Sequence, residues 1–324
     1  MISKSISLAK SYLNQGHVIG FPTETVYGLA GNAFLPSVIS KIFSIKNRPK
    51  NNPLIIHTHS LASVSELVDG FPEIALELAE NFWPGPLTLV LKKKDIISDE
   101  ITSGKDTVAI RIPQHPIALE LLRNLDFPLA APSANMYGLL SPTNSNHVFS
   151  SLGDKVPFIL DGGSCEKGLE STIIGFDQDN LPLVYRAGSI TIEKLKKYCP
   201  KLAYADQLHQ EILAPGMHDS HYAPRTPIIV LDQLSSLKLS LSDKKIGYLA
   251  FDDSAKVSFS FHSKLILSPS SNLEEAAKNF YAYLHLLDSM KLDLILTFWF
   301  PDEGYGNALN DKLKRASHKS IKYK

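Results

Sequence analysis

Small polar side chains follow apolar segments at several points in this chain. The stretch GFPTETVYGLAG (residues 20–31) leaves an apolar run through Thr23, Glu24 and Thr25. The pattern recurs in LAAPSAN (129–135), which is followed by SPT at 141–143, and in ILDGGSCEKGLEST (159–172). Each stretch alone is compatible with a capped turn. Because ligands of open α/β sheets bind at strand ends, their number favours one concave site whose hydroxyl and amide groups contact nucleotide oxygens.

Basic side chains add a preference for phosphate. In KNRPKNNPLIIH (46–57), Lys46 and Arg48 precede Pro49, which biases Arg48 toward extended geometry. Two cations on an extended segment would point the same way, as a triphosphate requires. A solvated basic loop explains this segment equally well when it is considered alone.

Arg111 lies inside the otherwise apolar segment TVAIRIPQHP (107–116). A buried guanidinium is costly unless it is paired or faces a cleft. No acidic residue occupies a neighbouring inward position, so a ligand carboxylate is favoured over a buried ion pair. The corner WPGPLT (83–88) is expected to shape a pocket wall without reacting.

No Ser-His-Asp order, metal-ligand cluster or closely spaced carboxylate pair stands out. The chemistry expected at the site is therefore positioning and charge neutralisation of a nucleotide, without covalent catalysis.

Alternating helices and strands must position these residues. Apolar spacing predicts helices over 3–15, 36–46, 71–83 and 115–125. Strands are predicted in VIGF (18–21), PLIIH (53–57), LTLVLKK (87–93), TVAIRI (107–112), LAAPSAN (129–135), FILDGG (158–163), STIIGF (171–176) and PLVYRAG (182–188). The interpretation is an α/β domain with a mixed sheet over residues 1–200.

A second, smaller α/β domain is predicted over 227–324, after an ordered linker at 201–226. Strands are expected at 227–232, 245–252, 264–268 and 293–300, and helices at 272–290, with Asn272 as N-cap, and at 306–317. The absence of a GxGxxG loop from this part of the sequence argues against dinucleotide binding there.

Bulk composition excludes several protein classes. The chain has 324 residues, which favours two domains, and its 33 Lys+Arg balance its 33 Asp+Glu. No global positive field therefore indicates nucleic-acid binding. Two cysteines, Cys165 and Cys199, are too few for a disulfide framework. No apolar run reaches membrane-spanning length, and a cytoplasmic location without membrane association is expected.

Taken together, the motifs resemble the YrdC-like family. The family's order is matched by PTETVYGL, KNRPKNNPL, WPGPLT, VAIRIPQHP, APSAN with SPT, DGG, GLEST and YRAG. The linker APGMHDSHYAP and the ending GYGNALNDKLKRAS are similar to the long, two-domain form, the threonylcarbamoyl-AMP synthases. The resemblance implies a twisted mixed sheet with a large concave cleft and a smaller Rossmann-like second domain.

The resemblance also implies a reaction. L-threonine, bicarbonate or CO2 and ATP, with Mg2+, would give threonylcarbamoyl-AMP and pyrophosphate. A partner, a tRNA threonylcarbamoyltransferase, would use the product to make t6A at adenosine 37 of tRNAs that read ANN codons. Direct tRNA binding by this chain is compatible with that role but is not required.

Site residues implied by the resemblance form three sets. The threonine-binding set is Thr25, His57, Arg111, Ala131 (through its backbone) and Ser171. The ATP-binding set is Arg48, Asn52, Thr107, Ser133, Ser141, Arg186 and Tyr222. The catalytic set, which would hold the phosphates and their metal, is Lys46, Arg48, Ser133 and Asn135. No protein side chain is assigned as a dedicated metal ligand, and the linker would act as a lid with Gly216 as its hinge.

Two other functions are weighed against this one. An RNA-binding module is disfavoured by the neutral charge and by the absence of aromatic stacking residues near KNRPK. The carbamoyl-transfer use of the fold in hydrogenase maturation needs appended zinc-finger and acylphosphatase parts, which two cysteines cannot provide.

Overall fold

A computed structural model describes residues 1–205, 222–231, 243–254, 257 and 260–317. Most of the predicted linker, including Gly216 and the rest of 206–221, lies outside the described residues. The end of the basic tail, 318–324, also lies outside them.

One mixed sheet of eleven strands organises the first domain. Its spatial order is β1-β8-β2-β3-β7-β4-β6-β5-β9-β10-β11. The strands are β1 (Ile2–Ser3), β2 (Ile19–Phe21), β3 (Gly28–Asn32), β4 (Ile55–His57), β5 (Leu87–Lys92), β6 (Thr107–Arg111), β7 (Leu129–Ala130), β8 (Phe158–Leu160), β9 (Thr172–Phe176), β10 (Pro182–Arg186) and β11 (Ala203–Tyr204). The predicted mixed sheet is confirmed, and β11 extends it four residues past the boundary predicted at residue 200.

Helices cover the sheet, and their ends follow local sequence rules. The helices are α1 (Ile6–Asn14), α2 (Pro36–Lys46), α3 (Leu61–Ser65), α4 (Glu73–Phe82), α5 (Asp99–Thr102), α6 (Pro116–Arg123), α7 (Ser145–Leu152) and α8 (Ile192–Lys196). Helix α2 begins with Pro36 in its first turn and ends where Asn47 adopts a left-handed conformation, φ 51°. That turn sets the direction of the basic segment that follows.

Seven of the described strands and α-helices were not predicted: β1, β3, β11, α3, α5, α7 and α8. Strand β3 and helix α7 show why. Strand β3 is built mostly from small residues, and a Cβ at its Gly31 would lie 2.3 Å from Cγ1 of Val38. Helix α7 is mostly polar and begins where the Asn144 side chain accepts a hydrogen bond from the backbone N–H of His147, 2.9 Å. Close packing in one case and capping in the other replace the hydrophobic periodicity on which sequence prediction depends.

The second domain has a parallel four-stranded sheet in the order β12-β15-β13-β14. Its elements are β12 (Ile228–Leu231), β13 (Ile246–Ala250), β14 (Ser263–Ile266), α9 (Leu273–Ser289), β15 (Leu294–Phe298) and α10 (Tyr305–Ser317). The predicted N-cap is confirmed, since the Asn272 side chain accepts hydrogen bonds from the N–H groups of Glu274 and Glu275.

The two domains share a hydrophobic cluster. The core of the second domain, formed mainly by α9, α10 and the strands beneath them, also contains first-domain side chains from loops near the strand ends, one of them directly after β10. These are Val26, Leu140, Leu169 and Ala187. Within the described residues, no helix is both long enough and apolar enough to cross a membrane.

Candidate active site

A pocket lies where several strands of the first domain end. Strands β4 and β6 are parallel and place His57 beside Arg111, while β7 pairs antiparallel with β4 and leads to Ala131 and Ser133. The pocket wall is formed by Thr23, Thr25, Val26, Tyr27, Gly28, Arg48, Ile55, His57, Arg111, Ala131, Pro132, Ser133, Glu170, Ser171, Arg186 and Tyr222. The expected convergence of several strand ends on one site is confirmed.

Arg111 is buried and forms an ion pair with a protein carboxylate. The expectation that no buried ion pair forms at this position is therefore wrong. Nη2 of Arg111 lies 2.6 Å from Oε1 of Glu24, which is also buried. Glu24 is 87 residues away in sequence, on the loop after β2, so strand-neighbour reasoning could not find it. Arg111 also donates from Nη1 to Oγ1 of Thr25, 2.8 Å, and from Nε to the Gly85 carbonyl, 3.1 Å. The corner WPGPLT therefore fixes the guanidinium.

The Arg111–Glu24 contact is an ion pair without hydrogen-bond alignment. Within the described residues, neither carboxylate oxygen of Glu24 nor Nη2 of Arg111 has an aligned hydrogen-bond partner. Nη2 therefore keeps donors for a ligand carboxylate, while Glu24 offsets the cost of burying the charge.

Thr25 lies on the pocket wall with its hydroxyl held in place. Its Oγ1 is 2.8 Å from Oγ1 of Thr23, and the Thr23 hydroxyl donates to the Val26 carbonyl, 2.6 Å. Thr23 thus organises the turn and orients Thr25. Gly28 also lines the pocket, and a Cβ there would lie 3.1 Å from Cβ of Ala131.

His57 is a neutral imidazole at the base of the pocket. Burial, and secondly the nearby Arg111 charge, lower its pKa to about 3. Its Nδ1 is buried and makes no hydrogen bond within the described part of the chain. A neutral ring with an unused nitrogen can accept a hydrogen bond from a ligand amine without repelling it.

The basic segment 46–52 differs from its predicted geometry. Lys46 is the last residue of α2, and its amine contacts the backbone carbonyls of Ser133 and Asn135. The prediction that Lys46 and Arg48 lie together on an extended segment is therefore wrong, because the left-handed Asn47 separates their directions. Lys46 instead holds the APSAN loop through the backbone of that loop. Burial keeps the pKa of the Lys46 amine well below the usual range.

Arg48 does face the pocket. Its guanidinium donates to the side chain of Asn52, 2.6 Å, and to the Pro53 carbonyl, 2.7 Å. Burial, with Arg186 nearby, lowers its pKa to about 10, so the side chain stays cationic at neutral pH. Asn52 acts behind Arg48 and is not part of the pocket wall.

The APSAN loop is tied together internally. The Ser133 hydroxyl donates to Oδ1 of Asn135, 2.5 Å, and the Asn135 amide donates to the carbonyls of Met136 and Leu139. Ser133 lines the pocket, whereas Asn135 is buried and holds the loop together through these hydrogen bonds.

Ser171 and Arg186 form the opposite wall. Nη2 of Arg186 donates to the Ser171 hydroxyl, 3.0 Å, and to the Ser171 carbonyl, 3.0 Å. The Ser171 hydroxyl also lies 2.8 Å from Oγ1 of Thr88. Tyr222, at the end of the predicted linker, completes this wall with a buried ring.

Three residues predicted for ATP binding lie away from the wall: Asn52, which holds Arg48, and also Thr107 and Ser141. Thr107 is at the start of β6, four residues before Arg111, and pairs with Lys92. Ser141 is buried and donates to Oε1 of Glu170, 2.6 Å. The pocket geometry therefore brings together nine predicted residues: Thr25, Arg48, His57, Arg111, Ala131, Ser133, Ser171, Arg186 and Tyr222.

Sequence reasoning missed the role of Glu170 and its partner Lys312. Glu170 lines the pocket, and its carboxylate faces the amine of Lys312 on α10 at 3.9 Å. A signal was present: Lys312 occupies the helical face that also buries Ala308, Leu309 and Ala316. A charged side chain at such a position indicates a buried partner.

Within the described residues, no group of three or more His, Cys, Asp or Glu side chains could hold a metal ion. The carboxylates closest to the pocket, Glu24 and Glu170, are committed to Arg111 and to Lys312 with Tyr281. This donor set suits a cation that arrives on phosphate oxygens better than one held by the protein alone.

Two family models cover nearly the whole chain. Residues 11–188 match the Sua5/YciO/YrdC model, described as telomere recombination. Residues 190–318 match the model described as threonylcarbamoyl-AMP synthase, C-terminal domain.

Individual proteins are similar over the same length. The threonylcarbamoyl-AMP synthase of Pyrococcus abyssi is 36% identical, covering 96% of this chain and 94% of its own. That of Bacillus subtilis is 36% identical, covering 96% and 92%. The crystal structure of P. abyssi Sua5 complexed with L-threonine superimposes with a TM-score of 0.86 at 35% identity, covering 96% and 94% of the two chains.

Proposed function

Because this chain belongs to the Sua5/YciO/YrdC family, in its long two-domain threonylcarbamoyl-AMP synthase form, we propose that its pocket condenses L-threonine, bicarbonate or CO2, and ATP. The products are L-threonylcarbamoyl-AMP and pyrophosphate. The observation that carries the proposal is one buried pocket with three guanidinium groups, a neutral imidazole and several hydroxyls, in a chain that aligns end to end with named synthases.

The threonine end of the pocket is assigned to Arg111, Thr25 and His57. The substrate carboxylate takes the free donors of Arg111, beside the carboxylate of Glu24. His57, being neutral, accepts a hydrogen bond from the substrate nitrogen. The neutral amine attacks the carbon of CO2, and the new carbamate releases one proton from its nitrogen; with bicarbonate, the hydroxyl group leaves as water and takes that proton. A cationic imidazole could not accept a hydrogen bond from the nitrogen and would repel its ammonium form.

The phosphate end is assigned to Arg48, Arg186 and Ser133. The carbamate oxygen attacks the α-phosphorus of ATP, the bond to the β-phosphate oxygen breaks, and pyrophosphate leaves with the electron pair. Fixed guanidinium groups neutralise the charge that develops on the leaving group. A pocket closed to water protects the carbamate from decomposition.

Mg2+ enters the proposal as part of the ATP substrate. It would supply charge neutralisation on the phosphate oxygens, and the residues nearest to them would be Ser133 and Arg48. Tyr222, near the end of the predicted linker, lies on the pocket wall; most of the predicted lid, residues 206–221, lies outside the described residues. The product would pass, in the cytoplasm, to a tRNA threonylcarbamoyltransferase that modifies adenosine 37.

The test is threonine-dependent pyrophosphate release. The purified chain is incubated with ATP, Mg2+ and bicarbonate, with each of the twenty amino acids in turn. Pyrophosphate should appear with threonine and fall by more than about tenfold with serine, which lacks the methyl group and its burial energy. Equal release with every amino acid, or none with threonine, would contradict the proposal. Release that is abolished by Arg48→Ala but not by Arg123→Ala, at an exposed position, assigns the activity to this pocket.

A further inference from the structure

Glu170 joins the pocket wall to the second domain. It precedes Ser171 on the loop that enters β9, and it is buried. Its carboxylate accepts hydrogen bonds from Ser141, 2.6 Å, and from the hydroxyl of Tyr281 on α9, 3.0 and 3.1 Å. Lys312 on α10 places a positive charge 3.9 Å from Oε2. Two of the groups that hold this carboxylate therefore come from the second domain.

Lys312 makes further contacts on the first-domain side. Its side chain has no exposed surface, and its amine donates to the Ala187 carbonyl, 3.1 Å. Ala187 directly follows Arg186. The same amine lies 4.8 Å from the centre of the Tyr222 ring. One lysine of the second domain thus contacts the Tyr222 ring and the chain neighbours of two other pocket residues, Ser171 and Arg186.

The backbone beside Glu170 is also fitted to the second domain. Gly168 has φ +72°, and a Cβ there would lie 2.3 Å from the carbonyl oxygen of Lys278 on α9. The preceding Lys167 pairs with Glu274, 3.0 Å, while its N–H donates to the Glu24 carbonyl, 2.8 Å. The loop 167–171 is therefore packed between α9 and the loop that carries Glu24 and Thr25.

We propose that the second domain builds part of the active site, and that Lys312 and Tyr281 are positioning residues for it. Lys312, whose amine also lies 3.3 Å from Oδ2 of Asp311, offsets part of the Glu170 charge, and Tyr281 orients the Glu170 carboxylate. Together they fix Ser171, whose hydroxyl and carbonyl hold Arg186, and they fix the Tyr222 ring; Arg186 and Tyr222 are the residues assigned to ATP. Neither side chain lines the pocket, so both act through the residues they hold. This inference rests on the function proposed above for the site residues.

Two variants test the proposal. Lys312→Met removes the charge with little change in volume, and Tyr281→Phe removes only the hydroxyl. Each should raise the KM for ATP, about tenfold for Lys312→Met and about threefold for Tyr281→Phe, with a smaller change in kcat and in the KM for threonine. Lys314→Met is the matched control, since Lys314 is exposed on the same helix.

Measuring KM and kcat separately distinguishes a positioning role from a loss of folded protein. General destabilisation reduces the active fraction, so it lowers kcat and leaves KM unchanged. Assays are run well below each variant's unfolding midpoint, and Tyr281→Phe remains informative if Lys312→Met does not fold. Unchanged KM for ATP in Tyr281→Phe would overturn the proposal.

Calorimetric titration of ATP into the full chain provides a measurement independent of turnover. The dissociation constant should rise about tenfold in Lys312→Met and stay unchanged in Lys314→Met. If wild-type protein binds ATP but releases no pyrophosphate with threonine, the proposed function fails while the titration still decides the positioning role. Equal ATP affinity in wild type and both α9 and α10 variants would reject that role.

Discussion

Arg111 combines two demands that a single side chain rarely meets in a buried place. In the proposed function, Arg111 must keep its charge to bind the threonine carboxylate, and that charge must be offset when no ligand is bound. Glu24 provides the offset at 2.6 Å, while the Gly85 carbonyl and Thr25 fix the plane of the guanidinium. Because the pair lacks hydrogen-bond alignment, an incoming carboxylate can use donors that Glu24 leaves open.

Arg111→Ala should raise the KM for threonine about 10- to 100-fold, which corresponds to roughly 1.4–2.8 kcal/mol of lost binding. The KM for ATP should change by less than about threefold, since Arg48 and Arg186 remain in place. Steady-state kinetics with each substrate varied in turn measures both. Equal effects on the two substrates would rule out the assignment of Arg111 to the threonine carboxylate.

This substitution also leaves Glu24 buried without its cation, at a cost of about 3–5 kcal/mol in stability. Adding Glu24→Gln removes the uncompensated charge. The double variant should regain part of the lost unfolding free energy in urea titrations and retain the threonine defect. Binding and stability can thereby be separated at this position.

At the scale of elements, loop 167–171 shows what sequence reasoning can and cannot reach. The motif GLEST indicates a polar strand end, and β9 begins at Thr172, one residue after the predicted start at Ser171. The contacts of Glu170 with Tyr281 and Lys312 join positions more than 100 residues apart, in separate domains. Periodicity and strand alternation describe local structure, so they contain no information on such pairs.

The wrong prediction for Lys46 also arises because residue type and spacing do not determine where a side chain points in the folded chain. The type of Lys46 and its spacing relative to Arg48 suited a phosphate-binding pair, and Pro49 favoured extended backbone. The structure ends α2 at Lys46 and turns the chain at Asn47, because a left-handed residue closes the helix. By contrast, α2 itself, with Pro36 at its start, agrees with the prediction over its whole length, since its boundaries are encoded locally.

Gly168→Ala tests the packing of this loop against α9. A positive φ alone costs about 1–2 kcal/mol for a residue with a Cβ, and the 2.3 Å approach to the Lys278 carbonyl should add about 1–3 kcal/mol. Gly104→Ala is the matched control, because Gly104 also has a positive φ, +79°, with nothing within 4 Å of the added Cβ. Urea unfolding should show the larger loss for Gly168→Ala. Equal losses would mean that the loop is free to move away from α9.

At the scale of the whole molecule, the interface between the domains contains a pair of stacked imidazoles. His147 on α7 and His285 on α9 have ring centres 3.9 Å apart, and His285 also contacts the Ser141 carbonyl through Nε2, 3.1 Å. Burial lowers the pKa of His147 to about 3, with His285 adding a smaller effect. Burial likewise lowers the pKa of His285, although the Ser141 carbonyl and Asp288 oppose the shift. Domain docking is therefore favoured when both rings are neutral.

These lowered pKa values give the chain a stability that decreases in mild acid. Above about pH 7 these two histidines are neutral in the folded and in the unfolded chain, so they add no pH dependence to the unfolding free energy. Between the ordinary histidine pKa of about 6.5 and the folded value near 3, the unfolded chain binds protons that the folded chain does not. The unfolding free energy should therefore fall as the pH drops from 7.5 to 5. Since His147 is only partly buried, its share is less than about 1.4 kcal/mol per pH unit.

His147→Gln should reduce that pH dependence by removing one of the titrating rings from the interface. The difference in thermal midpoint between pH 7.5 and pH 5 should be smaller in the variant than in wild type, while His262→Gln, at an exposed position, should match wild type. His57 titrates in the same range and is present in all three proteins, so its contribution cancels in the comparison. A variant at His147 with the wild-type pH dependence would show that the imidazole stack does not couple protonation to the docking of the two domains.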